Sequence, residues 1–361
     1  MPEGDTKQCH KFRSLKGQKE IMGKFGVVLL SLSIGLCAGC GGSRGVGVSG
    51  AGGSGTGKLY VSNTVANAIL HFNSALTATG NVSPGATIKG AATTLSLPQA
   101  VLVIPAVDRL FVANQGNASI LIFDNASTQS GNVAPTHTIS GSVTNLTTPF
   151  DLSFDNSRNL LYVANGGSIL VFGNASTISG STPPLHTMTP GFTIGAIFVD
   201  GANDRLYVAD SGNAIDIFDG ASNLDGTVVA NRIISGANTA LSNPAGLQLD
   251  SSGRLLVSNL GTPAVTIFAN AATASGNIAP VATVAGSNTG LKNPLRMTLN
   301  PATNDLYLAD GGVGGVDIFA NIVAAKGSVN SAPGRSIAGA STGLASTGAI
   351  TATGIALDPT R

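Results

Sequence analysis

Leu206-Tyr207-Val208-Ala209-Asp210, then the turn Ser211-Gly212-Asn213, then Ile215-Asp216-Ile217-Phe218: the chain is built on six versions of this stretch. Its first half recurs as Leu59–Asn63, Leu110–Asn114, Leu161–Asn165, Leu255–Asn259 and Leu306–Asp310. Its second half closes on Phe72, Phe123, Phe172, Phe218, Phe268 and Phe319, at steps of 46 to 51 residues. A nearly constant step over six copies marks an array of structural units. Each half is a short run of Val, Ile, Leu and Tyr bounded by Gly, Asn and Asp, which predicts two strands joined by a hairpin.

Two further runs complete each unit. One follows the Phe: Ala86–Gly90, His137–Gly141, His186–Pro190, Arg232–Gly236, Ala282–Gly286 and Arg335–Gly339. The other precedes the next Leu-Tyr-Val: Ala100–Ile104, Asp151–Asp155, Ala196–Asp200, Gly246–Asp250, Arg296–Asn300 and Gly354–Asp358. Four strands in a unit of this length predict an all-β chain, a six-bladed β-propeller with four-stranded blades. No segment sustains the 3.6-residue apolar period that a helical repeat requires. The first unit starts at Lys58 without its innermost strand, and Gly354–Asp358 ends the chain as an innermost strand without a unit. The two ends are therefore expected to pair and close the ring.

The motifs resemble the NHL-repeat and YncE-like propeller families, in which a blade runs through Gly-Ile-Ala-Val-Asp, Leu-Tyr-Val-Ala-Asp and Ile-x-Val-Phe. Gly354-Ile355-Ala356-Leu357-Asp358 and Leu206–Asp210 match the first two. Ala214-Ile215 stands where Asn-Arg-Ile is common in NHL repeats, which marks a divergent branch. The resemblance implies the fold over residues 58–361 and leaves function open, since such propellers include scaffolds, binders and enzymes.

Residues 1–39 read as an export signal. Six Lys and Arg precede a short apolar core, Val27 to Leu36, too short for a spanning helix. A start at Met22 would give a more ordinary signal, so 1–21 is read as an extension. Ala38-Gly39-Cys40 resembles a bacterial lipobox, with Cys37 where Leu is usual. Cys40 is the expected lipidation site, placing the protein in the cell envelope on a membrane anchor. Residues 40–57 then form a Gly/Ser-rich tether, about 23 Å in root-mean-square span. The body that follows is expected to be a monomer.

Composition excludes several functions. All three Cys fall at or before Cys40, and four His are scattered, so no His/Cys metal cluster is available. The six basic and three acidic residues of 1–39 leave 13 basic and 15 acidic groups of the chain's 19 and 18, which is no nucleic-acid footprint. All 15 acids are Asp, the acid of turns and strand ends.

A residue present in every unit is structural by default; chemistry should break the repeat. The Asn/Asp ring at 63, 114, 165, 210, 259 and 310 is expected to cap its own hairpin. The Asp at 155, 200, 250 and 358 are expected to shape the turn after the innermost strand. In the innermost strands, Asp151 and Arg296 stand where the other units have Ala100, Ala196, Gly246 and Gly354. Two residues on, Gln248 is the polar outlier among Leu102, Ser153, Phe198, Thr298 and Ala356. Asp151, Gln248 and Arg296 are the candidate ligand-binding residues of the axial channel.

The sequence thus predicts a lipid-anchored binding or interaction module with no assigned catalytic residue and no cofactor. Its partner would be a protein or a small polar ligand. The alternative is a lactonase-like hydrolase holding a divalent metal in the channel, which needs three or four carboxylates converging at one end. A purely structural envelope protein is a third option.

Overall fold

The computed structural model describes residues 56–344 and 351–361. The signal, Cys40 and most of the tether lie outside the described residues. Six sheets follow one another, each built on four antiparallel strands, and in blades 2 to 6 the first of the four in sequence is innermost. Blade 1 comprises Ala352–Asp358, Lys58–Asn63, Ala68–Asn73 and Ala86–Lys89. Blade 2 comprises Pro98–Ile104, Arg109–Asn114, Ser119–Asp124 and His137–Ile139. Blade 3 comprises Pro149–Asp155, Leu160–Asn165, Ser168–Phe172 and His186–Thr189. Blade 4 comprises Ile194–Asp200, Arg205–Asp210, Ala214–Asp219 and Arg232–Ser235. Blade 5 comprises Pro244–Leu249, Leu255–Asn259, Ala264–Phe268 and Ala282–Ala285. Blade 6 comprises Pro294–Leu299, Leu306–Asp310, Gly315–Phe319 and Arg335–Ala338. The innermost strands pack in cyclic order, Ala352–Asp358 touching both Pro98–Ile104 and Pro294–Leu299. This is the six-bladed propeller that the repeat predicts.

Closure is as expected. Ala352–Asp358 pairs antiparallel with Lys58–Asn63, setting Asp358 opposite Lys58, Leu357 opposite Leu59 and Ile355 opposite Val61. The two middle strands of a blade are sandwiched between neighbouring blades, so they are apolar on both faces. Leu59, Tyr60, Val61, Leu206, Tyr207 and Val208 are all fully buried. That is why the motif reads as a continuous apolar run and not as an alternation.

Five of the six blades enter their innermost strand from the same device. A 3-10 turn after Gly90, Gly141, Gly236, Gly286 or Gly339 is pinned by the hydroxyl of the Thr three residues on, which donates to that glycine's carbonyl at 2.6–2.8 Å. Between blades 3 and 4 the connection shortens to residues 190–193 and the turn is absent. Each innermost strand then carries an irregularity after its first residue, as between Pro149 and Asp151 and between Pro294 and Met297. Neighbouring backbones crowd here. A Cβ on Gly246 would lie 2.3 Å from the Leu295 carbonyl oxygen, and one on Gly354 would lie 2.4 Å from that of Gln99. Small residues at this layer are therefore a packing requirement.

The Asn/Asp ring does more than cap hairpins. Asn63, Asp210 and Asp310 do accept N–H groups of their own turns, from Ala66, Gly212 and Gly312. Asn114, Asn165 and Asn259, and Asp310 in addition to its cap, hold the loop entering the innermost strand, through the N–H groups of Ser96, Thr147 and Thr148, Ser242, and Lys292 and Asn293. The reason is register: the ring residue lies opposite the first residue of that strand, as Asn114 does Pro98. The nearest unpaired donors thus belong to the incoming loop. Asp155, Asp250 and Asp358 cap the turns that follow them, as expected.

Among the described residues, five of the six outer edges are covered by the next blade. The segment after the third strand lays Gly80 on Ile337, Gly131 on Ile88 and Gly276 on Ile234 as parallel bridges. Gly226–Thr227 and Gly327–Val329 form short fifth strands on blades 3 and 5. Covering these edges blocks strand addition from outside.

Candidate ligand site in the axial channel

The inner strands enclose a channel whose polar side chains come from two successive layers. The first layer is the crowded one, at 100, 151, 196, 246, 296 and 354. Four small residues there leave room for one long side chain, and Arg296 of blade 6 fills it. Arg296 crosses the axis. Its Nη1 donates to the Ala245 carbonyl of blade 5 at 3.0 Å, and its Nη2 to the Phe150 carbonyl of blade 3 at 3.2 Å. Its Nε lies 3.0 Å from Asp151 Oδ1, an ion pair in which the N–H is turned off the hydrogen-bond line.

Asp151 is 5% exposed and engaged on its other side as well. Its Oδ2 accepts the Ile197 N–H of blade 4 at 2.9 Å. One layer on, Ser153 Oγ accepts the Val199 N–H at 2.9 Å. An innermost strand has no strand beyond it, so its axial N–H groups need other acceptors. Asp151 and Ser153 supply them to blade 4. Asp151 and Arg296, three units apart in sequence, are thus brought together, and they tie the backbones of blades 3, 4, 5 and 6.

Arg296 divides the channel. On the strand-entry side is a hollow of about 340 Å³, bordered by Gln99, Gln115, Asn243 and Leu260. On the other side lies a cavity of about 260 Å³ with the second layer in its wall. That layer is Leu102, Ser153, Phe198, Gln248, Thr298 and Ala356. Their equivalence is fixed by pairing, since Gln248 and Thr298 lie opposite Leu256 and Tyr307 as Ser153 lies opposite Tyr162. Gln248 Nε2 donates to the Leu249 carbonyl at 3.2 Å. Gln248 therefore lines the same cavity as Asp151 and Arg296. Its polar companions Ser153 and Thr298 are visible in the sequence only as members of an aligned ring.

A divalent metal does not fit these residues. Asp151 is the one carboxylate lining the cavity, and its two oxygens face a guanidinium and backbone N–H donors. Among the described residues no three His, Cys, Asp or Glu side chains converge. His137 and His186 lie on outer strands, and His71 lies on a third strand.

No known protein family matches the chain, and no curated protein matches it in sequence. Among solved structures, the chain is similar to one in the crystal structure of a nidogen/laminin complex. The TM-score is 0.57 and the identity 15%, covering 83% of this chain and 98% of that one. A functionally unknown protein from Desulfotomaculum acetoxidans DSM 771 gives a TM-score of 0.48 at 14% identity, covering 73% and 75%. Kuenenia stuttgartiensis hydrazine synthase gives 0.43 at 18% identity, covering 65% and 79%. At these identities the first likeness is one of fold.

Proposed function

We propose that this protein is an exported, lipid-anchored propeller of the NHL/YncE-like kind that binds a partner without transforming it. The observation that carries this reading is the Asp151–Arg296 pair. These are the two ionisable side chains lining the cavity, and each is engaged by the other and by backbone. A general base or nucleophile needs a free, positioned group; here the charged groups hold the ring together. The fold is one also found in a nidogen/laminin complex. Export and anchoring rest on the basic lead, the apolar core and Ala38-Gly39-Cys40.

Two measurements on the full-length protein, expressed in a bacterial host that lipidates exported proteins, test the proposal. The purified chain should show no turnover of lactone and ester substrates with or without added Mn²⁺, Zn²⁺ or Ca²⁺. Saturable turnover by the wild-type protein, stimulated by one of these metals, would establish the hydrolase instead. Cys40→Ser should move the protein from the membrane to the soluble fraction, since stable anchoring requires acyl chains. Unchanged partition removes the anchor.

A further inference from the structure

We propose that the axial cavity beyond Arg296 is a binding site for a small uncharged ligand with a flat apolar body and one amide or hydroxyl edge. The site is read by Gln248 and Thr298. This rests on the reading of the propeller as a binding module and names what the module takes.

Charge in the cavity wall is confined to the first layer, where Asp151 and Arg296 form an ion pair and between them engage four backbone groups. In the second layer, Gln248 and Thr298 are half-buried neighbours on adjacent blades. Among the described residues no hydrogen bond reaches Gln248 Oε1 or the Thr298 hydroxyl. Ser153, three blades from Thr298 and so across the axis, uses Oγ as an acceptor and keeps its own proton to give. The rest of the layer is apolar: Leu102 lies across from Gln248, with Phe198 and Ala356 alongside. The wall thus offers the Gln248 amide and the Thr298 hydroxyl on one side, and faces them with Leu102, Phe198 and the single Ser153 hydroxyl. A few polar groups at fixed positions suffice to orient an apolar body in a small-molecule pocket.

The same wall rejects charge. A carboxylate or ammonium entering the cavity gives up its hydration and finds the only opposite charges already paired. A neutral amide gives up less and recovers hydrogen bonds from Gln248 and Thr298. The volume, about 260 Å³, is enough for a single ring with one substituent.

The test uses an isosteric set of three probes, benzamide, benzoate and benzamidinium, titrated at millimolar concentration into the full-length protein by calorimetry and thermal shift. Benzamide should bind saturably and raise the melting temperature, while benzoate and benzamidinium do neither. Gln248→Leu should weaken benzamide binding roughly tenfold and Thr298→Val severalfold, the range of one lost hydrogen bond. Benzoate binding as tightly as benzamide overturns the proposal and makes Arg296 the ligand's partner. Benzamide affinity unchanged in both variants, or no saturable binding by any probe, overturns it as well. The wild-type comparison decides even if a variant fails to fold. Probe selectivity bears on ligand class alone, and the turnover assay above bears on the wider reading, so the two can fail separately.

Discussion

At the scale of single residues, the side chains that break the repeat set the chemistry of the interior. Asp151→Ala would strip the acceptor from the Ile197 N–H and leave Arg296 unpaired near the axis, and Arg296→Ala would leave a buried carboxylate. Each should destabilise by about 2–4 kcal/mol, and the double variant by less than the sum. Wild-type melting in both single variants would show that the pair is not holding the ring. Two other acids sit within the blades. Asp216 and Asp317 replace the Leu70, Leu121 and Leu170 of blades 1 to 3. Burial, with Asp210 beside the first, pushes the Asp216 carboxyl up to about 6. Burial, helped by Asp310 and opposed by a Ser336 hydrogen bond, does the same to Asp317, also to about 6. Both hold protons in the folded state that the unfolded chain has released, so stability falls as pH rises from about 3.8 towards 6. His71 acts in the opposite sense. It is fully buried against Tyr60, ring centroids 4.6 Å apart, with both nitrogens unpartnered. Burial first, then Lys58, holds its imidazole down at about 4, so stability falls as pH drops from about 6.5 towards 4. Asp216→Asn and Asp317→Asn should each stabilise by roughly 1–3 kcal/mol at pH 8 and hardly at all at pH 3. His71→Ile, the residue of blades 2, 4, 5 and 6 at this position, should stabilise more at pH 4 than at pH 8. Denaturant unfolding at these pH values checks all three, and equal effects at both ends of the range would disprove the assignment. The outliers Asp151, Gln248 and Arg296 were legible because the repeat supplies the comparison. That Arg296 spans the ring to Phe150 and Asp151 was not legible, because reach across an axis depends on ring diameter and on the small residues around it.

At the scale of elements, the seams between blades depend on one side chain that recurs. Asn81, Asn132, Asn277 and Asn330 each accept, through Oδ1, the N–H of the second residue in the preceding blade's 3-10 turn: Ser341, Ala92, Asn238 and Asn288, at 2.7–2.9 Å. Three of them follow the glycine that bridges to that blade's outer strand. At the seam between blades 2 and 3 the pair is Gly180-Ser181. Ser181 Oγ sits beside Gly141. Among the described residues neither the glycine bridge nor a bond to the Val143 N–H is formed there. Asn132→Ala should therefore destabilise by about 1 kcal/mol, and Ser181→Asn should stabilise by about 0.5–1. Amide exchange at Ser142–Thr144 should be faster than at the equivalent turn Ala91–Thr93, and Ser181→Asn should slow it. Equal exchange at the two turns in the wild type would refute the weak seam. The strands themselves were legible because apolar runs and turn residues are local signals. The Asn clasp lies in plain view as Gly80-Asn81, Gly131-Asn132 and Gly276-Asn277, yet its meaning is not local. It acts on a turn about 40 residues away, in the preceding blade, and sequence periodicity shows recurrence without showing which neighbour is touched. The ring at 63, 114, 165, 210, 259 and 310 teaches the same limit: its type pointed to a nearby cap, and strand register redirected much of it to the incoming loop.

At the scale of the whole molecule, a ring differs from an open array because its last unit must meet its first. Blade 1 takes its innermost strand from residues 352–358 and its other three from residues 58–89, so the closing contact joins the ends of the folded body. The join is more than a backbone ladder. Ser62 Oγ accepts the Gly354 N–H at 2.7 Å and lies 2.7 Å from the Gln99 carbonyl oxygen, linking blade 1 to blade 2. Arg361 reaches past its own Asp358, 3.0 Å away, to the Pro105 carbonyl of the blade 2 turn. Ile355 and Leu357 belong to the core shared with blade 6, while Ala356 belongs to the core shared with blade 2. One strand therefore seals two seams. Burying Ile355 and Leu357 alone contributes roughly 3–6 kcal/mol, at about 1.5–3 per side chain. Domains are typically stable by only about 5–15 kcal/mol in all. Removing the strand would also expose the edge of Lys58–Asn63 and apolar faces of blades 2 and 6. Deletion of residues 352–361 should consequently abolish cooperative unfolding of the entire propeller or drive it to aggregate, with no loss confined to blade 1. Supplying residues 352–361 as a separate peptide should restore part of the melting transition, because the missing strand binds only the folded ring. Calorimetry of the truncated protein with and without the peptide makes the measurement. A truncated chain that melts like the wild type would mean the ring does not depend on its closing strand.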